Sequence, residues 1–139
     1  MAAARRTRST SPQGARNHLT KAREFAAAME DSLAEERWNA AALAAVHAAI
    51  SAGDAMLAAF VGIRSAEQDH RQIVSLLSDH LGGDGQKMAR HVQRVIARKN
   101  LVEYEERLIK KSDAARMAAH VRRLLAQAED KLGSLRTSR

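Results

Sequence analysis

The segment between residues 85 and 102 carries basic side chains at helical spacing and contains no acidic residue. Arg90, Arg94 and Arg98 recur every four residues, so they share one face if the segment is helical. Guanidinium groups bind phosphate oxygens through charge-assisted hydrogen bonds, which makes such a basic ridge suited to a nucleic-acid backbone. The alternative is a solvated helix face with ordinary intrahelical ion pairs, which a basic stripe alone does not exclude.

The sign of the charge reverses immediately after this ridge. Lys99 and Asn100 are followed within two helical turns by a carboxylate, Glu103, and a phenol, Tyr104. At separations of three and four residues, Asn100, Glu103 and Tyr104 share a helical face. We therefore predict two sets of site residues. The nucleic-acid-binding residues are Arg90, Arg94, Lys99 and Asn100, and the residues that assist chemistry are Arg98, Glu103 and Tyr104.

Other residue types exclude several classes of site. The chain has no cysteine, which excludes disulfides, thiolate zinc sites and cysteine nucleophiles. Its six histidines form no pair at metal-ligand spacing, so we predict no metal and no cofactor. His47 and Asp54 share a predicted helical stripe. They either form a general-base pair, or His47 is a hydrogen-bonded structural histidine. Arg64 and His70 either bind an anion or bond within their own loop.

The elements that position these residues are helices. Alanine is the best helix former and recurs in runs, whereas aromatic residues make up 3% of the chain and leave little material for a sheet. We predict an all-α, up-down bundle of about five helices, with no apolar run long enough to cross a membrane. Apolar spacings of three and four place helices at about 18–37 and 38–60, followed by a short third helix that ends at a glycine-rich loop over 82–85. A fourth helix follows at about 86–106, and the last runs from an N-cap at Ser112 to near Gly133.

The N-terminal residues form a separate segment. The net charge is +7, and the first 16 residues contain arginines but no acid. We predict that residues 1–16 are a disordered basic arm and that residues 17–139 form one domain. The arm binds nucleic acid or an anionic surface, is a transit peptide, or has no specific role. Alanine-rich, arginine-rich usage favours a GC-rich bacterial genome over a transit peptide, so we predict a cytoplasmic bacterial protein.

Three segments of the chain resemble a HEPN domain. They are the long second helix over 38–55, the loop over 62–70 and the segment over 98–105, and the resemblance covers about residues 18–133. HEPN domains are small helical bundles of prokaryotic toxin–antitoxin and defence systems, often encoded beside a minimal nucleotidyltransferase. The resemblance implies a homodimer that handles RNA.

Active HEPN domains are metal-independent ribonucleases whose motif is an arginine followed, after four to six residues, by a histidine. Arg98 matches the arginine, but Glu103 or Tyr104 stands where the histidine is expected. Tyrosine, with a pKa near about 10, is a poor substitute for histidine in acid–base chemistry. Arg64 and His70 have the spacing of the motif but precede the third helix instead of lying on the fourth.

The resemblance therefore predicts an RNA-binding homodimer whose toxin-type ribonuclease activity is weak or lost. The alternative is a non-catalytic module that binds a partner protein, such as a nucleotidyltransferase or an antitoxin. In a third hypothesis the arm binds nucleic acid and the bundle only dimerises. The dependence of RNA affinity on salt separates the first two hypotheses, because neutralising phosphates releases counterions.

Overall fold

A computed structural model of the protein describes residues 7–65 and 71–137, with side chains described as far as residue 133. Over these residues, five helices of ten or more residues pack as a bundle, which confirms the predicted all-α fold. A sixth, shorter helix and a two-stranded sheet complete it. The order is β1 (Thr7–Ser9), α1 (Pro12–Ala34), α2 (Trp38–Phe60), β2 (Ile63–Ser65), α3 (Arg71–His80), α4 (Gly82–Ile96), α5 (Lys99–Tyr104) and α6 (Lys111–Thr137).

Helix α2 lies at the centre of the bundle. Fourteen of its 23 residues are buried, most of them alanine, and every other helix contacts it. Small side chains let the neighbouring helices approach closely: a Cβ atom on Gly53 would lie 2.7 Å from Cγ2 of Ile73. Contrary to the sequence prediction, α2 is, within the described residues, the one helix that is long and apolar enough to span a membrane by length and composition, although most of it is buried inside the bundle.

Residues 7–16 differ from the predicted disordered arm. Strand β1 pairs antiparallel with β2, and α1 begins at Pro12 instead of near residue 18. The hydroxyl of Ser11 caps this helix by accepting a hydrogen bond from the N–H group three residues later, at 3.1 Å, and Ala15 is buried. A serine cap followed by proline is a favoured helix start, and it extends α1 beyond the apolar repeat. Residues 1–6 of the predicted arm lie outside the described residues.

The predicted fourth helix consists of two helices, α4 and α5. The glycines expected in a loop form the first turn of α4, and of these only Gly82 has a positive φ, 64°. The N–H of Arg98 donates to the carbonyl of Val95, three residues back, which tightens and ends α4. Helix α5 then buries Leu101 against the core, where α5 contacts α2.

Helix α6 packs against α1, α2 and α4. It begins at Lys111, so Ser112 lies inside the helix instead of capping it, and it continues past Gly133 to Thr137. Before it, the backbone N–H of Ile109 donates to Oδ1 of Asn39 on α2, at 3.0 Å. This bond and the burial of Ile109 fix where α6 starts beside α2 and α4.

Candidate nucleic-acid-binding surface

Helices α4 and α6 pack side by side and present a row of basic side chains. Their buried faces are apolar, and the flanking positions on each helix are exposed arginines. On α6, Arg116, His120 and Arg123 are separated by four and three residues, so they lie along one stripe. We call the following set the α4/α6 surface: Arg90, His91 and Arg94 on α4, with Arg116, His120 and Arg123 on α6.

No carboxylate lies within the stretches of chain that form this surface. Residues 85–102 and 114–128 contain neither aspartate nor glutamate. The acidic residues at the ends of these two stretches each form an ion pair with a basic residue outside the surface. Asp84 pairs with Lys131, Glu103 with Lys99 at 3.0 Å, Asp113 with Arg98 at 3.6 Å, and Glu129 with Arg23 at 2.8 Å.

The arginines of the surface have no carboxylate partner among the described residues, in contrast to other arginines nearby. Arg122 on α6 donates two hydrogen bonds to the carboxylate of Glu30, at 2.8 and 2.6 Å. Its neighbour Arg123 forms no ion pair with any residue that the structure describes, and the same holds for the other three surface arginines. Their guanidinium groups are therefore free to bind an anion.

His91 and His120 form a contact across the two helices at the middle of the surface. Their Nδ1 atoms are 3.0 Å apart and their ring centroids 5.2 Å apart, and both side chains are half-buried. Burial lowers the pKa of His91, and the charges of His120, Arg123 and Arg90 lower it further. Burial also lowers the pKa of His120, with added contributions from the charges of Arg94 and Arg123.

The histidine pair was missed in the sequence because its members are 29 residues apart and meet only through helix packing. A search for metal-ligand spacing tests residues within one or two helical turns and does not compare α4 with α6. A signal was nevertheless present. Each histidine lies in an acid-free stretch of helix and has an arginine three residues later.

The structure divides the predicted site residues between two places. Arg90 and Arg94 lie on the α4/α6 surface, and the others lie at or beyond the end of α4. There Arg98 pairs with Asp113 instead of joining the other residues predicted for chemistry. Asn100 is exposed on α5.

The remaining predicted residues lie together on α5. Nζ of Lys99 lies 3.0 Å from Oε2 of Glu103 and 5.5 Å from the ring centroid of Tyr104. The hydrogen bond from Lys99 lowers the pKa of Glu103, and so, to a smaller extent, do Tyr104 and the charge of His47. The charged groups of α5 thus satisfy one another.

A second polar cluster lies where α1, α2 and β2 meet. Burial raises the pKa of Asp54 to about 6, although the charges of Arg64 and Lys21 oppose the shift. Oδ1 of Asp54 is buried without a hydrogen-bond partner among the described residues. His47 packs against Phe25, with ring centroids 5.3 Å apart. His70, the other residue predicted to bind an anion with Arg64, lies outside the described residues.

No protein-family model matches the chain, and no curated protein matches it either. The resemblance to HEPN domains therefore stays a prediction. In the part of the chain that the structure describes, no group of three or more histidine, aspartate or glutamate side chains could hold a metal ion.

Proposed function

We propose that this protein binds the phosphate backbone of RNA through the α4/α6 surface. The observation that carries the proposal is the pairing of charges. Nearby bases such as Arg122, Arg98 and Lys99 have carboxylate partners, whereas the four surface arginines have none among the described residues. An unpaired guanidinium keeps all its donors for phosphate oxygens, and it is not neutralised before the ligand arrives.

The phosphate backbone is common to RNA and DNA, and the HEPN-like segments of the sequence favour RNA. If all four arginines contact phosphates, the logarithm of the affinity should fall with the logarithm of the salt concentration, with a slope of about −3 for a single strand. Such binding reads the backbone and carries little sequence preference.

The test is RNA affinity by fluorescence anisotropy over a range of salt concentrations, with single-stranded DNA as comparison. Arg94→Gln and Arg123→Gln should each weaken binding and reduce the salt slope by about 0.7. Arg122→Gln is the matched control because it removes the same charge from the neighbouring position, where the guanidinium is already bound to Glu30. Equal losses in all three variants would mean that only net charge matters and would contradict the proposal.

We propose RNA binding with weak or no RNA cleavage. The groups predicted to act in chemistry are held in ion pairs, Arg98 with Asp113 and Glu103 with Lys99. We therefore expect the protein to bind RNA with weak or no cleavage in the absence of metal, which the same incubations show on a gel. If Arg98→Ala removes a clear cleavage activity, the protein is a ribonuclease with a degenerate HEPN-like motif.

A second candidate function is a module that binds a partner protein, either a second copy, a nucleotidyltransferase or an antitoxin. It is favoured by Tyr104 and Leu108, two large side chains four positions apart in the chain that are 74% and 72% exposed. Aromatic side chains are enriched at protein interfaces. Absence of RNA affinity even at low salt would favour this candidate over the first.

A further inference from the structure

The contact between His91 and His120 limits the two rings to two or three protons in total. A hydrogen bond between two Nδ1 atoms, here 3.0 Å apart, needs one N–H donor and one bare acceptor. When both rings are neutral, the donor ring has a bare Nε2 and the acceptor ring carries its proton on Nε2. One further proton can bind the bare Nε2 without breaking the contact. The pair then has two N–H donors on the sides of the rings away from the contact, instead of one.

The field around the pair opposes that further proton in the free protein. Arg90 and Arg94 act on it from α4, and Arg123 acts from α6. Burial and, to a smaller extent, these charges hold the pKa of both imidazoles below the ordinary histidine value, which favours the neutral rings at pH 7.

Titratable groups on the other helices packed against α4 and α6 are engaged elsewhere. On α1, Glu30 binds Arg122 and Arg23 binds Glu129. On α2, His47 acts on Glu103, whereas Asp54 is influenced by Lys21 and Arg64. Helix α3 carries Arg71, Asp79 and His80, and none of them is among the charges that shift the pair.

A bound phosphate weakens this field. Its negative charge offsets the three arginines, and its oxygens accept hydrogen bonds from a protonated imidazole. We propose that His91 and His120 form a proton-dependent phosphate contact within the α4/α6 surface, so that binding of RNA takes up one proton. This inference rests on the proposed function, because it concerns a ligand of the same surface.

A neutral imidazole pair can also chelate a transition metal such as Zn²⁺. The same arginines decide between the two ligands, because a field that attracts a phosphate repels a dication. The pair also has no third histidine or carboxylate ligand among the described residues. The geometry therefore favours the anion.

The sign of the pH effect follows from the two states. The pKa of the pair is lowered in the free protein and rises in the complex. The affinity for RNA therefore increases as the pH falls through the window between these two pKa values. The increase is about tenfold for each pKa unit by which the phosphate raises the pair. At pH 8.5 the pair is neutral in the free protein, so we expect protonation of the pair to contribute little to the affinity for RNA.

The test is RNA affinity between pH 5.5 and 8.5 at constant ionic strength. Wild type should bind more tightly as the pH falls, whereas His91→Gln and His120→Gln should lose most of this dependence. His80→Gln, which removes an exposed histidine of α3, should keep the pH dependence of RNA affinity. Arg94→Gln should lower the affinity at every pH and still depend on pH.

Separate outcomes overturn the two proposals. Salt-sensitive RNA binding with the same affinity at every pH would overturn this inference and leave the proposed function standing, whereas no RNA binding at any pH or salt concentration would overturn both. A Zn²⁺-induced rise in melting temperature that needs both histidines would assign the pair to a metal instead. If the glutamine variants do not fold, NMR titration of the wild-type imidazoles decides: inorganic phosphate should raise the midpoints of two of the six histidines, and unchanged midpoints would overturn the inference.

Discussion

Asp54 couples the stability of the bundle to pH through a single side chain. Its pKa is about 6 in the folded protein and 3.8 when unfolded, because burial disfavours the carboxylate. The folded state therefore binds more protons between these values, and stability is lost as the pH rises through this window. At pH 7.5, the ionised carboxylate of Asp54 lowers the free energy of unfolding by about 2 to 3 kcal/mol.

We expect Asp54→Asn to raise the free energy of unfolding at pH 7.5 by about this amount and to have a much smaller effect near pH 4. Urea unfolding at the two pH values measures both. Glu24→Gln, on the exposed face of α1, is the control and should change little at either pH. An equal gain for Asp54→Asn at pH 4 and 7.5 would mean that the ionisation of Asp54 is not the cause.

Among the residues of the α4/α6 surface, the sequence identified those that follow the repeat of one helix and missed those that come together only when two helices pack. Arg90 and Arg94 lie four residues apart, so periodicity alone identifies them as a pair on one face. Arg123 and His120 join them only because α6 packs against α4. The pairing of Arg98 with Asp113 also depends on that packing, so a local reading left Arg98 available for chemistry.

The junction of α3 and α4 depends on a glycine that the packing demands. A Cβ atom on Gly85 would overlap the carbonyl oxygen of Leu77 and the side chain of Leu81, whereas one on Gly83 would meet nothing within 4 Å. Gly85→Ala must therefore shift the backbone of α3, and we expect it to lower the free energy of unfolding by about 1 to 3 kcal/mol. Gly83→Ala, in the same helical turn, should be neutral or slightly stabilising. Thermal and urea unfolding compare them, and similar stabilities of the two variants would contradict this interpretation.

Elements were predicted best where the apolar pattern and the stop signal agree. Helix α2 has the predicted limits because its apolar stripe ends before Gly62, which has a φ of 74°. The break between α4 and α5 was not predicted, because residues 86–106 keep a helical pattern throughout and Leu101 turns inward only in the folded bundle. The cap at Ser11 was readable, but it lies in a basic segment that indicated disorder.

At the scale of the whole molecule, two hypotheses place nucleic-acid binding differently: one predicts it for the N-terminal segment, and the proposed function assigns it to the α4/α6 surface. Strand β1 begins at Thr7 and pairs with β2, so deletion of residues 1–6 leaves the paired residues in place. If the bundle carries the binding, the deletion should leave the salt slope of RNA affinity nearly unchanged, and Arg123→Gln should still reduce it in the shortened chain. Anisotropy measures both slopes. If the arm carries the binding, the deletion lowers the slope, and Arg123→Gln has no further effect.

The central position of α2 also bears on how the chain is made. Helix α2 is long and apolar enough, by length and composition, to cross a membrane, and α6, which covers part of it, follows it in the chain after three other helices. Helix α1 precedes α2 in the chain and can pair with it at once, but the face of α2 that α6 covers stays open until residues 111–137 have been synthesised. A chain that stops before Lys111 lacks α6, so the apolar side chains of α2 that pack against α6 are left exposed to solvent.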